Sequence, residues 1–255
     1  MLHEIRHGGL PVISVITVCF NEPLEKIRDT FSSIILQTYQ NIEWIVVDGG
    51  SGDETLAVML EYNERISCLI SEPDDGIYDA MNKGIKHATG EFINFMNVGD
   101  RYHSDLTLAE VVSAINACPR YDCYYGDVVR VDANFETKEL KHQMKRPSKF
   151  LLYSMPICHQ TAFSSRQLYD VVGLFNLKYR IMADWHWILR SIANGAQWQH
   201  IDVIICDFDS AGISSNLKSM RIEYKKILVE HFSFLERLVY PLLWKFIRFF
   251  KRIRG

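Results

Sequence analysis

Val12-Ile13-Ser14-Val15-Ile16-Thr17-Val18 and Ile42-Glu43-Trp44-Ile45-Val46-Val47-Asp48 are the two stretches on which the fold turns. Each is a short, largely apolar run rich in β-branched residues, which suits a strand buried on both faces of a parallel sheet. Between them, Pro23 suits the first turn of a helix, and Leu24, Ile27, Phe31, Ile34 and Ile35 recur at helical spacing. Strand, helix and strand make one βα unit.

Working outward, the pattern repeats. Gly49-Gly50-Ser51-Gly52-Asp53 is a tight polar loop before a helix near residues 54–62, and residues 67–70 read as a third strand. Turn formers at 72–76 precede a helix with Ile77, Ala80, Met81 and Ile85 on one face. Residues 91–96 form the next strand and end at Asn97-Val98-Gly99-Asp100. From about residue 122 the pattern predicts strands at 124–131, 157–163 and 198–206 and helices at 166–172 and 184–194. There is no internal repeat and no low-complexity linker. The fold class is α/β, a mostly parallel sheet flanked by helices. Acids recur at strand ends, where ligands of open α/β sheets bind, so Asp48 and Asp100 are expected to be near neighbours.

The 255 residues, 48% of them hydrophobic, suffice for a full core. The net charge of −3 is unevenly laid out, because Arg237, Lys245, Arg248, Lys251, Arg252 and Arg254 face only Glu236 near the C-terminus. The remaining body is acidic, which excludes general nucleic-acid binding. Cys19, Cys68, Cys118, Cys123, Cys158 and Cys206 show no C-x-x-C pair or Cys/His spacing for zinc and read as buried thiols of a reducing compartment. No stretch reaches the ~18 uncharged apolar residues that span a bilayer, and no signal peptide is evident, so a cytoplasmic location is expected.

Taken singly, the candidate residues keep two readings. Asp48 either caps the turn that follows it or accepts hydrogen bonds from a base or ribose, with the next glycines allowing close approach. Asp100, after an apolar strand, suits a hard divalent cation that bridges a diphosphate. Asp184 is either a helix N-cap or a general base. His159, Asn82 and Lys83 are structural or line a pocket. There is no G-x-G-x-x-G and no G-K-[ST].

In chain order, Ser14-Val15-Ile16-Thr17-Val18-Cys19-Phe20-Asn21, Leu36-Gln37-Thr38-Tyr39, Glu43 to Ser51, Glu72 to Gly84, Asn97-Val98-Gly99-Asp100, Cys158-His159-Gln160 and Ala183-Asp184 form a set that resembles the family 2 glycosyltransferases of GT-A fold. Within that family the set is most similar to bacterial enzymes of colanic acid, capsule and O-antigen assembly. The resemblance implies a nucleotide-sugar donor, most often with uracil, bound by Thr17, Asn21, Glu22, Asp48, Asn82, Gly84 and His159. It implies a divalent cation, Mn²⁺ or Mg²⁺, at Asp100, with Asn97 and Gly99 replacing the earlier acids of the family's metal motif. Met81 stands where many members have Arg. Asp184 matches the catalytic base of a single inverting displacement. An inactive nucleotide-sugar-binding protein of this fold and a sugar nucleotidyltransferase are the alternatives. Retention of Asp100 and Asp184 opposes the first, and Cys19-Phe20-Asn21-Glu22 in place of a Gly-rich phosphate loop opposes the second.

Residues 1–215 would be the catalytic domain and 216–255 a helical segment. On a helical wheel, Leu235, Leu238, Val239, Leu242, Phe246, Phe249, Phe250 and Ile253 share one face, and Arg237, Lys245, Arg248, Lys251 and Arg252 the other. Such a helix suits the surface of an anionic membrane, the inner face of the cell membrane, and hence a lipid-linked saccharide acceptor. The alternative is docking on the protein's own core or on a second copy. Pro241 would kink or split it.

Overall fold

The computed structural model describes residues 10–132, 138–145, 147–153, 157–209 and 217–254; the side chains of Asp53, Leu151, Leu217 and 246–254 lie outside the description. The opening βα units form as the apolar pattern dictates. Strand β1 (Ile13–Cys19) leads to helix α1 (Leu24–Ile35), β2 (Ile42–Asp48), α2 (Asp53–Leu60), β3 (Cys68–Ser71), α3 (Ile77–His87) and β4 (Phe92–Phe95). Then follow β5 (Arg101–Tyr102), α4 (Thr107–Ala117), β6 (Cys123–Val131), β7 (Lys138–Lys141) and α5 (Lys149–Leu152). A 3₁₀ turn, η1 (His159–Thr161), precedes β8 (Ala162–Ser165), α6 (Arg166–Val172), α7 (Ala183–Ala193), β9 (Trp198–Asp209), α8 (Leu217–His231) and α9 (Phe234–Arg254).

Among the described residues one nine-stranded sheet runs β3-β2-β1-β4-β8-β6-β9-β5, with β7 beside β6. It is parallel from β3 to β4 and across β6 and β9, and antiparallel where β8 meets β4 and β6. Both faces are covered, which explains the unbroken apolar runs. Ile16, Val18, Ile45 and Val47 point to the side of α3, α6 and α7, while Ile13, Val15, Trp44 and Val46 point to the side of α1 and α4. Helix α3 lies very close to β1, because a Cβ on Gly84 would come within 2.5 Å of Ile16 Cγ2.

The strand expected at 157–163 is mostly η1, and only its end enters β8. Its polar Cys158-His159-Gln160 core carries no period-2 alternation. Helix α4 had no counterpart in the sequence reading, and α8 falls in the 216–255 segment expected to be helical. Helix α8 is part of the main core, with Ile227, Leu228 and Phe232 buried and Tyr224 stacked on Trp185 at 5.1 Å.

Helix α9 continues unbroken through Pro241. It docks through Tyr240 and Trp244, which pack on Phe150 at ring separations of 4.9 and 5.6 Å, and Glu236 pairs with Lys149. Arg237, assigned to the basic face, instead has a buried Nε. The leucine face remains outward: Leu235, Leu238 and Leu242 are 68%, 53% and 64% exposed. Phe246, Phe249, Phe250 and Ile253, with Arg248, Lys251 and Arg252, have side chains outside the described set. Among the described residues no helix is long and apolar enough to cross a membrane.

Candidate active site

The parallel strands β1, β2 and β4 end on the same edge of the sheet, and their loops carry Asn21, Glu22, Asp48 and Asp100. Asn21 adopts φ +50°, a left-handed conformation that Asn tolerates better than most residues. Its N–H donates to Ser51 Oγ at 2.8 Å and its Oδ1 accepts from the Gly52 N–H at 3.3 Å, tying the two loops together. Asn21, Glu22, Gly52 and Thr55 line an open cleft of about 530 Å³.

Other expected donor contacts are buried and bonded within the fold. Thr17 is fully buried and its hydroxyl accepts from the Trp44 indole N–H at 3.1 Å. The Asp48 carboxylate accepts from the Ser51 N–H at 3.1 and 3.2 Å and from Ser71 Oγ at 2.7 Å, so it closes the turn that follows it. Gly49 is backed by the Asp74 carboxylate rather than by open space. Asn82 clamps α3 to the Phe175 backbone, donating to its carbonyl and accepting from its N–H, both at 2.9 Å. Lys83 reaches back to Glu72 at 2.9 Å.

Asp48 and Asp100 do not meet through a hydrogen bond. Asp100 is buried, and its oxygens accept from Gln160 Nε2 at 2.9 Å and the Asp209 N–H at 3.0 Å. Burial pushes its pKa up to about 6, reinforced by the charge of Asp209 and opposed by Gln160 and the Asp209 N–H. Lys26 holds Asp209 at 2.5 Å, and Glu22 lies close enough to feel both.

The first residue of η1, just before Gln160, carries the site to a second carboxylate. His159 Nδ1 is 2.8 Å from Asp184 Oδ2, and its Nε2 is 3.4 Å from Asn97 Nδ2. Asp184 lies in the first turn of α7 rather than at the N-cap, which is Met182. Its Oδ1 accepts from the Trp185 N–H at 2.8 Å and the Tyr78 hydroxyl at 2.9 Å. Burial alone would raise Asp184, but His159, the Trp185 N–H and Tyr78 outweigh it and its pKa is lowered. Burial would lower His159, and the carboxylate of Asp184 outweighs that and raises it. The two therefore form a charge-assisted pair.

A divalent cation fits this edge of the site. Asp100 offers a carboxylate whose charge is poorly solvated, Asp209 lies beside it, and Asn97 Oδ1 is buried without a hydrogen-bond partner.

Several side chains here escaped the sequence reading. Asp209 ends a strand as Asp48 does, but that strand was expected to stop at residue 206. Gln160 was quoted without a role. Tyr78 meets Asp184 across 106 residues, and Glu223 of α8 accepts the N–H groups of Arg180, Ile181 and Met182 at 2.8 to 3.0 Å, just before Asp184. No local pattern signals such contacts.

Residues 14–173 match the family described as glycosyl transferase family 2. A PGL/p-HBAD biosynthesis glycosyltransferase of Mycobacterium bovis is 35% identical over 189 residues, 72% of each chain. An uncharacterized glycosyltransferase of Mycobacterium tuberculosis is 33% identical over 216 residues, 81% of this chain and 78% of its own. The fold is shared with Staphylococcus aureus TarS 1-349 in complex with UDP-GlcNAc, at TM-score 0.68 and 19% identity, covering 87% of this chain and 67% of that one. It is also shared with the mannosyltransferase PcManGT of Pyrobaculum calidifontis in complex with GDP-Man and Mn²⁺, at TM-score 0.64 and 22% identity, covering 88% and 64%. The chain thus spans about two thirds of the length of these solved structures.

Proposed function

Because this chain belongs to glycosyl transferase family 2, we propose that it moves a sugar from a nucleoside-diphosphate sugar to a saccharide hydroxyl with inversion. One observation carries the reading: Cys158-His159-Gln160 is a bridge, with Gln160 on Asp100 and His159 on Asp184. The 3₁₀ turn thereby spaces the cation side of the reaction from the base side.

The half-buried Asp184 is ionised at neutral pH and takes the acceptor's proton as the hydroxyl oxygen attacks the anomeric carbon. The new bond to the acceptor forms while the bond to the diphosphate oxygen breaks on the opposite face. Tyr78 and the Trp185 N–H hold one carboxylate oxygen and His159 the other, so the base is oriented before substrate arrives. Asp100, with Asp209 and Asn97 beside it, would hold Mn²⁺ or Mg²⁺, which when bound supplies positive charge to the departing diphosphate. The cleft beside Asn21 and Glu22 takes the nucleoside end of the donor. Uracil as the base is supported by the TarS complex, whose ligand is UDP-GlcNAc.

The acceptor is assigned to a lipid-linked saccharide of a bacterial surface polymer or glycolipid. Support comes from α9, whose aromatic side docks on α5 while its leucines face outward, and from the basic residues that follow in the sequence. On this reading residues 1–215 with α8 carry out the transfer at the cytoplasmic leaflet, and α9 contacts the lipid.

Calorimetry with UDP, GDP, CDP and dTDP, each with and without Mn²⁺, tests the donor side. Selective binding of UDP, tightened by Mn²⁺, is expected. Absence of binding to all four would overturn the transferase reading in favour of a fold retained without donor chemistry.

A further inference from the structure

Away from the site just described, α7 and α8 bring together His186, Glu230 and His231. His186 Nε2 lies 2.9 Å and His231 Nε2 4.0 Å from the same oxygen, Glu230 Oε1, and the three candidate donor atoms all lie within 4.8 Å of one another. The Tyr179 hydroxyl donates to Glu230 Oε2 at 2.6 Å, which occupies that oxygen and turns Oε1 toward the histidines. Among the described residues, the buried side-chain polar atoms without a partner include His231 Nε2 and His186 Nδ1. An ion bound at His231 Nε2 would recover the cost of leaving that buried nitrogen without a partner. Burial lowers the pKa of both imidazoles, so both are neutral with lone pairs available at neutral pH.

Two imidazoles and one carboxylate are the donor set of a borderline divalent ion such as Zn²⁺, and not of Mg²⁺ or Ca²⁺, which take oxygen. We propose that His186 Nε2, Glu230 Oε1 and His231 Nε2 bind one Zn²⁺ and clamp α7 to α8. Zinc–ligand distances of ~2.0–2.2 Å require only that His231 close part of its 4.0 Å gap and that His186 carry its proton on Nδ1. Glu230 is 43% exposed, leaving room for the ion to enter and for water in the fourth position. The hydrogen bond from Tyr179 supplies the outer support that metal-bound carboxylates usually have. The sequence showed no zinc spacing, because the ligands come from two helices and sit 44 residues apart. The site lies two residues from Asp184 along α7, so the clamp would steady the helix that carries the base, but the proposal does not depend on the transferase reading.

The test uses the full chain, purified without chelator or nucleotide and equilibrated with Zn²⁺, then freed of excess ion. One Zn²⁺ per chain by elemental analysis is expected in the wild type and in Asp100→Asn, and loss of that ion in His231→Ala and Glu230→Gln. Substituting Co²⁺ in the wild type should give the intense visible absorption of a tetrahedral site, a readout independent of whether the variants fold. A wild type that retains no Zn²⁺ overturns the proposal, and so does equal retention by folded His231→Ala and Glu230→Gln.

Discussion

Asp184 is held on both oxygens, by Tyr78 and the Trp185 N–H on one and by His159 on the other. An Asn at this position keeps the shape and one acceptor oxygen but cannot take a proton. Asp184→Asn is therefore expected to lower turnover by about 10²–10⁴-fold while leaving the dissociation constant for UDP within a few-fold of wild type. Unchanged turnover in initial-rate assays would remove Asp184 from the role of base. The neighbouring amide is linked to the same pair. His159 Nε2 accepts from Asn97 Nδ2, which leaves the Asn97 Oδ1 without a protein partner. Of the residues chosen from sequence, Asp100, His159 and Asp184 fall into one connected group, and Asn21 and Glu22 line one cleft. Thr17, Asp48 and Asn82 spend their polar atoms within the fold. That division was not legible, because an acid or amide at a strand end looks the same whether its partner is a ligand or the protein's own backbone.

Elements set the position of Asp184. Helix α7 begins where Glu223 of α8 gathers three successive backbone N–H groups at residues 180–182. Without that carboxylate those donors lie beside the base with no acceptor, and the first turn of α7 loses its fixed entry. Glu223→Ala is expected to lower kcat at least tenfold, corresponding to about 1.4 kcal/mol, and to reduce the melting temperature by several degrees, with the affinity for UDP nearly unchanged. A variant with wild-type kcat would show that the base needs no brace from α8. The helical periodicity of α1, α3, α6 and α7 was plain in the sequence, because each presents one apolar stripe to the sheet. Helix α8 fell in the segment expected to be helical, but its place in the core was not legible, because its pattern is weakly amphipathic and its stabilising contacts are aromatic and ionic partners from distant segments.

For the whole molecule, the open question is what meets the outer side of α9. Fully burying a leucine side chain contributes ~1.5–3 kcal/mol, and Leu235, Leu238 and Leu242 remain largely exposed while Tyr240 and Trp244 make the intramolecular contact. Removal of residues 235–255 is expected to abolish sedimentation with anionic liposomes while leaving the truncated protein monomeric and folded. Continued binding of that form would exclude α9 as the anchor, and binding that is insensitive to salt would exclude the basic segment as a contributor. The sequence by itself determined the α/β class, the parallel opening units and the family, because alternating apolar runs and an ordered set of short motifs are local properties of the chain. It also marked the amphipathic C-terminal helix. Tertiary structure alone decided that Gln160 and His159 join Asp100 to Asp184, that Asp209 meets Asp100 and Glu223 braces the entry to α7, and that Leu235, Leu238 and Leu242 of α9 face outward. Those facts rest on hydrogen bonds and packing between residues tens to more than a hundred positions apart, which no window on the sequence encloses.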